Sequence, residues 1–167
     1  SRNMAAFGIP AFMFLMAVMV NVIYRIDPKR ENISRSRELK QITRWFVVLL
    51  AVMVQLVIVL SGIGMEINVG SVISIPIALM FVAAGNYLPK CRQNYTMGIK
   101  LPWTLADEDN WNRTHRMAGY VWTAGGILML IMGFFHLAYL FFLVFMAMVL
   151  IPSVYSYLIY RKKLKGI

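Results

Sequence analysis

The residues whose types and spacing could do chemistry are concentrated in one polar stretch, 85–116, of a chain otherwise dominated by apolar runs. Along it stand Asn86, Pro89, Lys90, Cys91, Arg92, Asn94, Gly98, Lys100, Pro102, Trp103, Thr104, Asp107, Glu108, Asp109, Trp111, His115 and Arg116. Three consecutive carboxylates near a histidine invite a metal or acid–base reading. Successive helical residues point about 100° apart, however, so Asp107, Glu108 and Asp109 do not converge on one ion. Glu108 and His115 do share a helical face, but two ligands make a poor metal site. Capping accounts for the acids more simply. Thr104 followed by Asp107 is an N-cap pattern, and carboxylates in a first turn favour the positive end of a helix dipole. Cys91 lies between Lys90 and Arg92, whose charges are expected to lower its pKa. As the single cysteine it forms no intrachain disulfide, and it is read as a small loop residue rather than a nucleophile. No motif calls for a cofactor.

The elements that must position this stretch are membrane helices. The chain is 60% hydrophobic and only 14% charged, against about 25% charged in a soluble domain. Its mean hydropathy is +0.67. Apolar runs of about 20 residues recur, each long enough to cross a hydrocarbon core as a helix. In lipid every backbone polar group needs an internal partner, so the expected class is all-α, a polytopic bundle of about five transmembrane helices in a single domain. The spans are placed at about 4–24, 45–62, 69–88, 117–135 and 138–160, with polar loops at 25–44 and 89–116. Pro10 is expected to bend the first span, and Ser34 or Ser36 to cap a short helix before the second. Gly70, Ser74 and Ala78 give the third span a small-xxx-small face for close helix approach. Gln55, mid-span, is expected to hydrogen-bond between helices. The turn between the last two spans is set near Gly133–Ala138, around His136.

The formal net charge of +10 sits in the two long loops and the Arg161–Lys165 tail. It therefore points to an anionic lipid surface and the positive-inside rule rather than to direct nucleic-acid binding. The alternation puts the N-terminus outside, and both basic loops and the C-terminus in the cytoplasm. Within 89–116, Lys100–Thr104 reads as extended. A short helix is expected from about Leu105 to Arg116, lying at the interface or feeding into the fourth span, with Arg113 and Arg116 at its end to suit the dipole, Trp111 and His115 on one face and Trp103 at headgroup level.

The motifs Gly85-Asn86-x-x-Pro89, Asn94-x-x-x-Gly98-Ile99-Lys100-x-Pro102-Trp103-Thr104 and Trp111-x-x-Thr114-His115-Arg116 resemble, in order and spacing, the SdpI family of bacterial membrane proteins. Arg25-Ile26-Asp27-Pro28-Lys29-Arg30-Glu31-Asn32-Ile33 resembles the family's first junction. The resemblance implies a plasma-membrane immunity protein that guards against a secreted, membrane-active peptide toxin. It also implies a signal transducer that holds a small winged-helix repressor at the membrane. Family members usually carry a further transmembrane segment ahead of the position of Ser1, so an earlier segment is expected to be missing here. On this reading the 86–116 residues are a binding surface, with Asp107, Glu108 and Asp109 facing the repressor. Two alternatives stand beside it. One is an interfacial enzyme acting on lipid or lipid-linked phosphate, with His115 as base. The other is a small transporter, for which the spans lack an acidic or basic side chain.

Overall fold

The computed structural model describes residues 7–166, apart from the side chains of Ile9, Ser34, Arg35 and Ser71. Residues 4–6 of the first expected span, and Ser34 as a cap, lie outside that description. The described chain is helical: α1 (Ile9–Ile26), α2 (Arg30–Arg35), α3 (Arg37–Gly62), α4 (Val69–Tyr87), α5 (Pro102–Ala106), α6 (Glu108–Phe134) and α7 (Ala138–Leu164). Four helices are long and apolar enough to cross a membrane, namely α3, α6, α7 and the stretch Val72–Lys90 that takes in most of α4. The first apolar helix is shorter, at 17 residues from Pro10 to Ile26.

Local chemistry explains the boundaries. Pro10 occupies the first turn of α1, where its missing N–H would have had no partner, so it opens the helix rather than bending it. Asp27-Pro28 stops α1. The expected polar loop 25–44 is instead mostly helical, because Arg37-Glu38-Leu39-Lys40-Gln41 are strong helix formers that extend α3 two turns below its apolar part. Ser36 precedes α3 but makes no side-chain cap. Its hydroxyl donates to the Asn32 carbonyl at 2.9 Å and receives the Arg92 N–H at 3.2 Å, tying α2 to the 89–101 segment.

The centre of the bundle is α4 against α6 and α6 against α7. α4 and α6 lie almost backbone to backbone. A Cβ on Gly85 would stand 2.6 Å from the Thr123 nitrogen, and one on Gly126 would stand 2.8 Å from the Val82 nitrogen and 3.0 Å from the Ala78 oxygen. Ser74 meets Gly133 in the same seam, whereas Gly70 has only Asn68 beside it. Phe81, Met129 and Met148 fill the space between α4, α6 and α7, with Trp122 edge-on to Phe81 at 5.0 Å. Pro152 inside α7 has no N–H for the Met148 carbonyl four residues back. The Trp122 indole N–H supplies that bond from α6, at 3.0 Å. Outward faces carry bulky apolar side chains such as Phe12, Phe14, Trp45, Leu56 and Phe142, as a lipid-facing surface requires. Gln55 makes no interhelical bond of the expected kind: its Oε1 is buried and has no hydrogen-bond partner among the described residues.

Candidate functional site: a folded polar module at the basic end of the bundle

The 88–107 segment closes over the ends of α1, α3, α4 and α6, and many of its polar groups are bonded within the segment or to those helix ends. A 3₁₀ turn, Leu88–Lys90, leaves α4. Asn94, fully buried, then holds the next turn from within. Its Oδ1 accepts the Thr96 and Met97 N–H groups at 2.9 and 2.6 Å, while its Nδ2 donates to the Arg92 carbonyl at 2.7 Å. An asparagine side chain acting as a surrogate backbone is the usual way to hold such a loop. Gly98 follows with φ 95°, a left-handed conformation that side-chain-bearing residues rarely adopt.

Thr104, also fully buried, closes the far side. Its hydroxyl oxygen accepts the Leu101 N–H at 2.9 Å, and the hydroxyl faces the Ile99 and Leu101 carbonyls at the same distance. This corrects two expectations. Pro102 opens a helical turn, α5, in place of an extended stretch, and Thr104 caps nothing on α6. Asp107 is the cap, its Oδ1 accepting from the Asp109 and Asn110 N–H groups at 3.0 and 3.3 Å. α6 then runs unbroken to Phe134, because no breaker separates Arg116 from the apolar run that follows. The short helix thus feeds into the fourth span, one of its two expected placements, and because the two are one helix Arg113 and Arg116 do not sit at a helix C-terminus.

Beneath the loop, Trp111 and His115 stack at 4.0 Å between ring centres with planes 21° apart. Both are fully buried. The Trp111 indole N–H donates to the Cys91 carbonyl at 2.8 Å. His115 Nε2 accepts the Ile99 N–H at 2.9 Å, and Nδ1 lies 2.8 Å from the Trp111 carbonyl. One nitrogen must accept and the other must donate, which fixes a neutral Nδ1–H imidazole. The ring is thus a rivet between α6 and the loop.

The remaining clasps lie outside the candidate site residues expected from the sequence. Asp27, buried at the end of α1, accepts the Lys29 N–H at 2.7 Å through Oδ1; through Oδ2 it accepts the Tyr95 N–H at 3.0 Å and the Thr96 hydroxyl. Gln93 donates to the Thr104 and Leu105 carbonyls at 2.9 Å and accepts from Lys29 Nζ. Asn32 donates to the Gln93 carbonyl at 2.7 Å. Asn110, Thr114 and Ser156 form a buried knot between α6 and α7, with Asn110 Oδ1 accepting both hydroxyls at 2.9 and 3.0 Å. Their signals were present as buried-type polar residues, Asp27 beside a proline and Asn110/Thr114 one helical turn apart. Their partners, however, lie far off in sequence.

Of the residues read as a surface, Asn94, Thr104, Trp111 and His115 are therefore interior, and Gly98 is largely covered. Asn86, Pro89, Lys90, Lys100, Pro102, Glu108, Asp109 and Arg116 are exposed. Trp103 is half-buried, against Tyr157 and Tyr160 of α7 at 5.5 and 5.8 Å. The acidic run does not present three free carboxylates. Lys163 bridges Asp107 at 2.6 Å and Asp109 at 2.8 Å, and Arg113 stands 3.8 Å from Asp109. The Lys163 hydrogen bond holds the Asp107 carboxyl below the ordinary carboxylate range. Cys91 is the reverse of what its neighbours suggested. It is buried, and desolvation pushes its thiol up to about 11, while Lys90 and Arg92 are exposed. Among the described residues no three His, Cys, Asp or Glu side chains gather as a metal set.

Residues 90–156, which begin in this module and run into α7, match the model of the SdpI/YfhL protein family. Over 169 aligned positions, covering 99% of this chain and 79% of the relative, the chain is 27% identical to the "Immunity protein SdpI" of Bacillus subtilis (strain 168). No solved structure matches. Four helices of spanning length and this likeness fit a multi-pass protein of a bacterial membrane. The resemblance carried by the 85–116 motifs is borne out: the chain is similar to the SdpI family over residues 90–156, and to SdpI of Bacillus subtilis along nearly all its length.

Proposed function

We propose that this chain is a membrane immunity protein that protects its cell from a secreted, membrane-active peptide toxin. The likeness to an immunity protein along 99% of the chain carries the reading. The placement of charge supports its orientation. The basic residues of α2, of the 89–101 segment and of the α7 tail are brought to one end of the bundle, through contacts such as Ser36–Arg92 and Asp107–Lys163. The turn 63–68 contains no Lys or Arg. By the positive-inside rule the polar module faces the cytoplasm. A toxin then meets the uncharged end or the intramembrane faces, and a small winged-helix repressor docks on the exposed rim of the module. Lys90, Lys100, Pro102, Glu108 and Arg116 form that rim, with Trp103 as a half-covered anchor; Asn94, Gly98, Thr104, Trp111 and His115 give it shape. Asp107 and Asp109 are already ion-paired, so Glu108 is the acid left for a partner.

The test is protection. The chain is expressed in a toxin-sensitive bacterium, which is challenged with medium from a toxin-secreting producer while a dye reports membrane potential. Retained potential is the expected result. Depolarisation equal to an empty-vector control, with the protein confirmed in the membrane, counts against the reading. The alternative, an interfacial enzyme using His115 as base, meets an obstacle in the geometry, because both ring nitrogens are engaged inside the module.

A further inference from the structure

Between α6 and the last turns of α7 lies an open cavity of about 590 Å³ that none of the readings above uses. Its rim is cationic: Arg113 from α6, and Arg161, Lys162, Lys163 and Lys165 from α7. Its floor is apolar, formed by Tyr155, Leu158 and Ile159. Lys163 is committed to Asp107 and Asp109, and Arg113 leans on Asp109. Arg161, Lys162 and Lys165 have no acidic partner among the described residues. The C-terminal dipole of α7 offsets only about half a charge, so the rim keeps a surplus of positive charge.

The polarity changes along the axis of α7. Tyr155 lies about 10 Å deeper than Lys162, at 1.5 Å per residue, so one end of the cavity is basic and the other is oily. A water-soluble polyanion would satisfy the rim and leave the floor bare. A phospholipid satisfies both, with its phosphodiester among the guanidinium and ammonium groups and its glycerol and first acyl carbons on Leu158 and Tyr155. Basic pockets between transmembrane helices are established sites for anionic headgroups. We propose that this groove holds one anionic phospholipid, at the same end of the bundle as the polar module. The proposal does not depend on the immunity reading.

Native mass spectrometry of the full chain in detergent tests it, with phosphatidylglycerol as probe and phosphatidylcholine as the neutral comparison. One phosphatidylglycerol should be retained, at least tenfold in preference to phosphatidylcholine. The triple variant Arg113→Gln, Arg161→Gln, Lys162→Gln should lower retention at least fivefold. Removing the same charge elsewhere at that end, by Arg25→Gln, Arg30→Gln, Arg44→Gln, should change it less than twofold. Equal losses in the two triples mean a diffuse charged surface and overturn the site. Equal retention of the neutral lipid also overturns it, as does displacement by soluble glycerol phosphate at the lipid's own concentration. Should the groove triple fail to fold, Arg161→Gln and Lys162→Gln singly should each lower retention at least twofold, and no change in either overturns the proposal.

Discussion

Gly98 stands so close to His115 that a Cβ on it would lie 2.3 Å from the imidazole Nε2. Loop and helix are therefore in contact at a position where only a hydrogen fits. Gly98 also has φ 95°. Gly98→Ala must displace the imidazole and adopt a strained backbone together, at a cost of roughly 2–4 kcal/mol. Thermal unfolding in detergent should show a clearly lower midpoint, and an unchanged one would contradict the contact.

His115 itself should behave as a structural bridge. His115→Ala leaves the half-buried Ile99 N–H without its acceptor, at about 1 kcal/mol or more, and opens a cavity beside Trp111. Protection against toxin should then fall in step with the folded fraction. Full loss of protection with an unchanged unfolding midpoint would instead favour a reaction centre at this ring.

Asp27 clasps the module to the end of α1 through the backbone N–H groups of Lys29 and Tyr95 and the Thr96 hydroxyl. Asp27→Asn keeps the shape but loses the charge and one acceptor oxygen. Hydrogen bonds to a charged group contribute about 1.5–3 kcal/mol each, so the loop should release from α1 before the helices melt. Limited proteolysis should cut more readily within residues 92–101, and an unaltered digestion pattern would argue against the clasp.

Cys91 gives a pH signature with a definite sign. Its folded-state pKa lies at about 11 against an ordinary 9.0. Between those values the unfolded chain loses the thiol proton first, so the folded state binds more protons and stability falls as pH rises. The contribution is complete below pH 9, and its loss by about pH 11 amounts to roughly 2–3 kcal/mol. Cys91→Ala should flatten that part of the stability profile. The wild-type thiol should also react slowly with maleimide at pH 8 until the protein is unfolded, and rapid modification of the folded protein would refute its burial.

Because Cys91 is interior, sidedness is better read from exposed positions placed in a Cys91→Ala background. A membrane-impermeant maleimide should label Met65→Cys on intact cells and Lys100→Cys only after permeabilisation. The opposite pattern would invert the proposed orientation.

The amino-acid sequence by itself determined the class of molecule. Long apolar runs leave the backbone no option but helix in lipid, and punctuation such as Asp27-Pro28 and the His136 turn marks where those helices stop. It also located the polar module, because such a density of Asn, Thr, Lys and Trp has no other use in so apolar a chain. What only the tertiary structure decided was which of those residues face inward. Neighbouring charges made Cys91 look activated, but burial sets its pKa, and burial comes from α2 and α6 closing over it. The acidic run looked free until α7 brought Lys163 to Asp107, 56 residues away. Trp111 and His115 were legible as a pair, being one helical turn apart, yet not as interior. Spacing fixes which side chains share a face of one helix; what covers that face is settled when distant segments dock, and no local pattern encodes the partner.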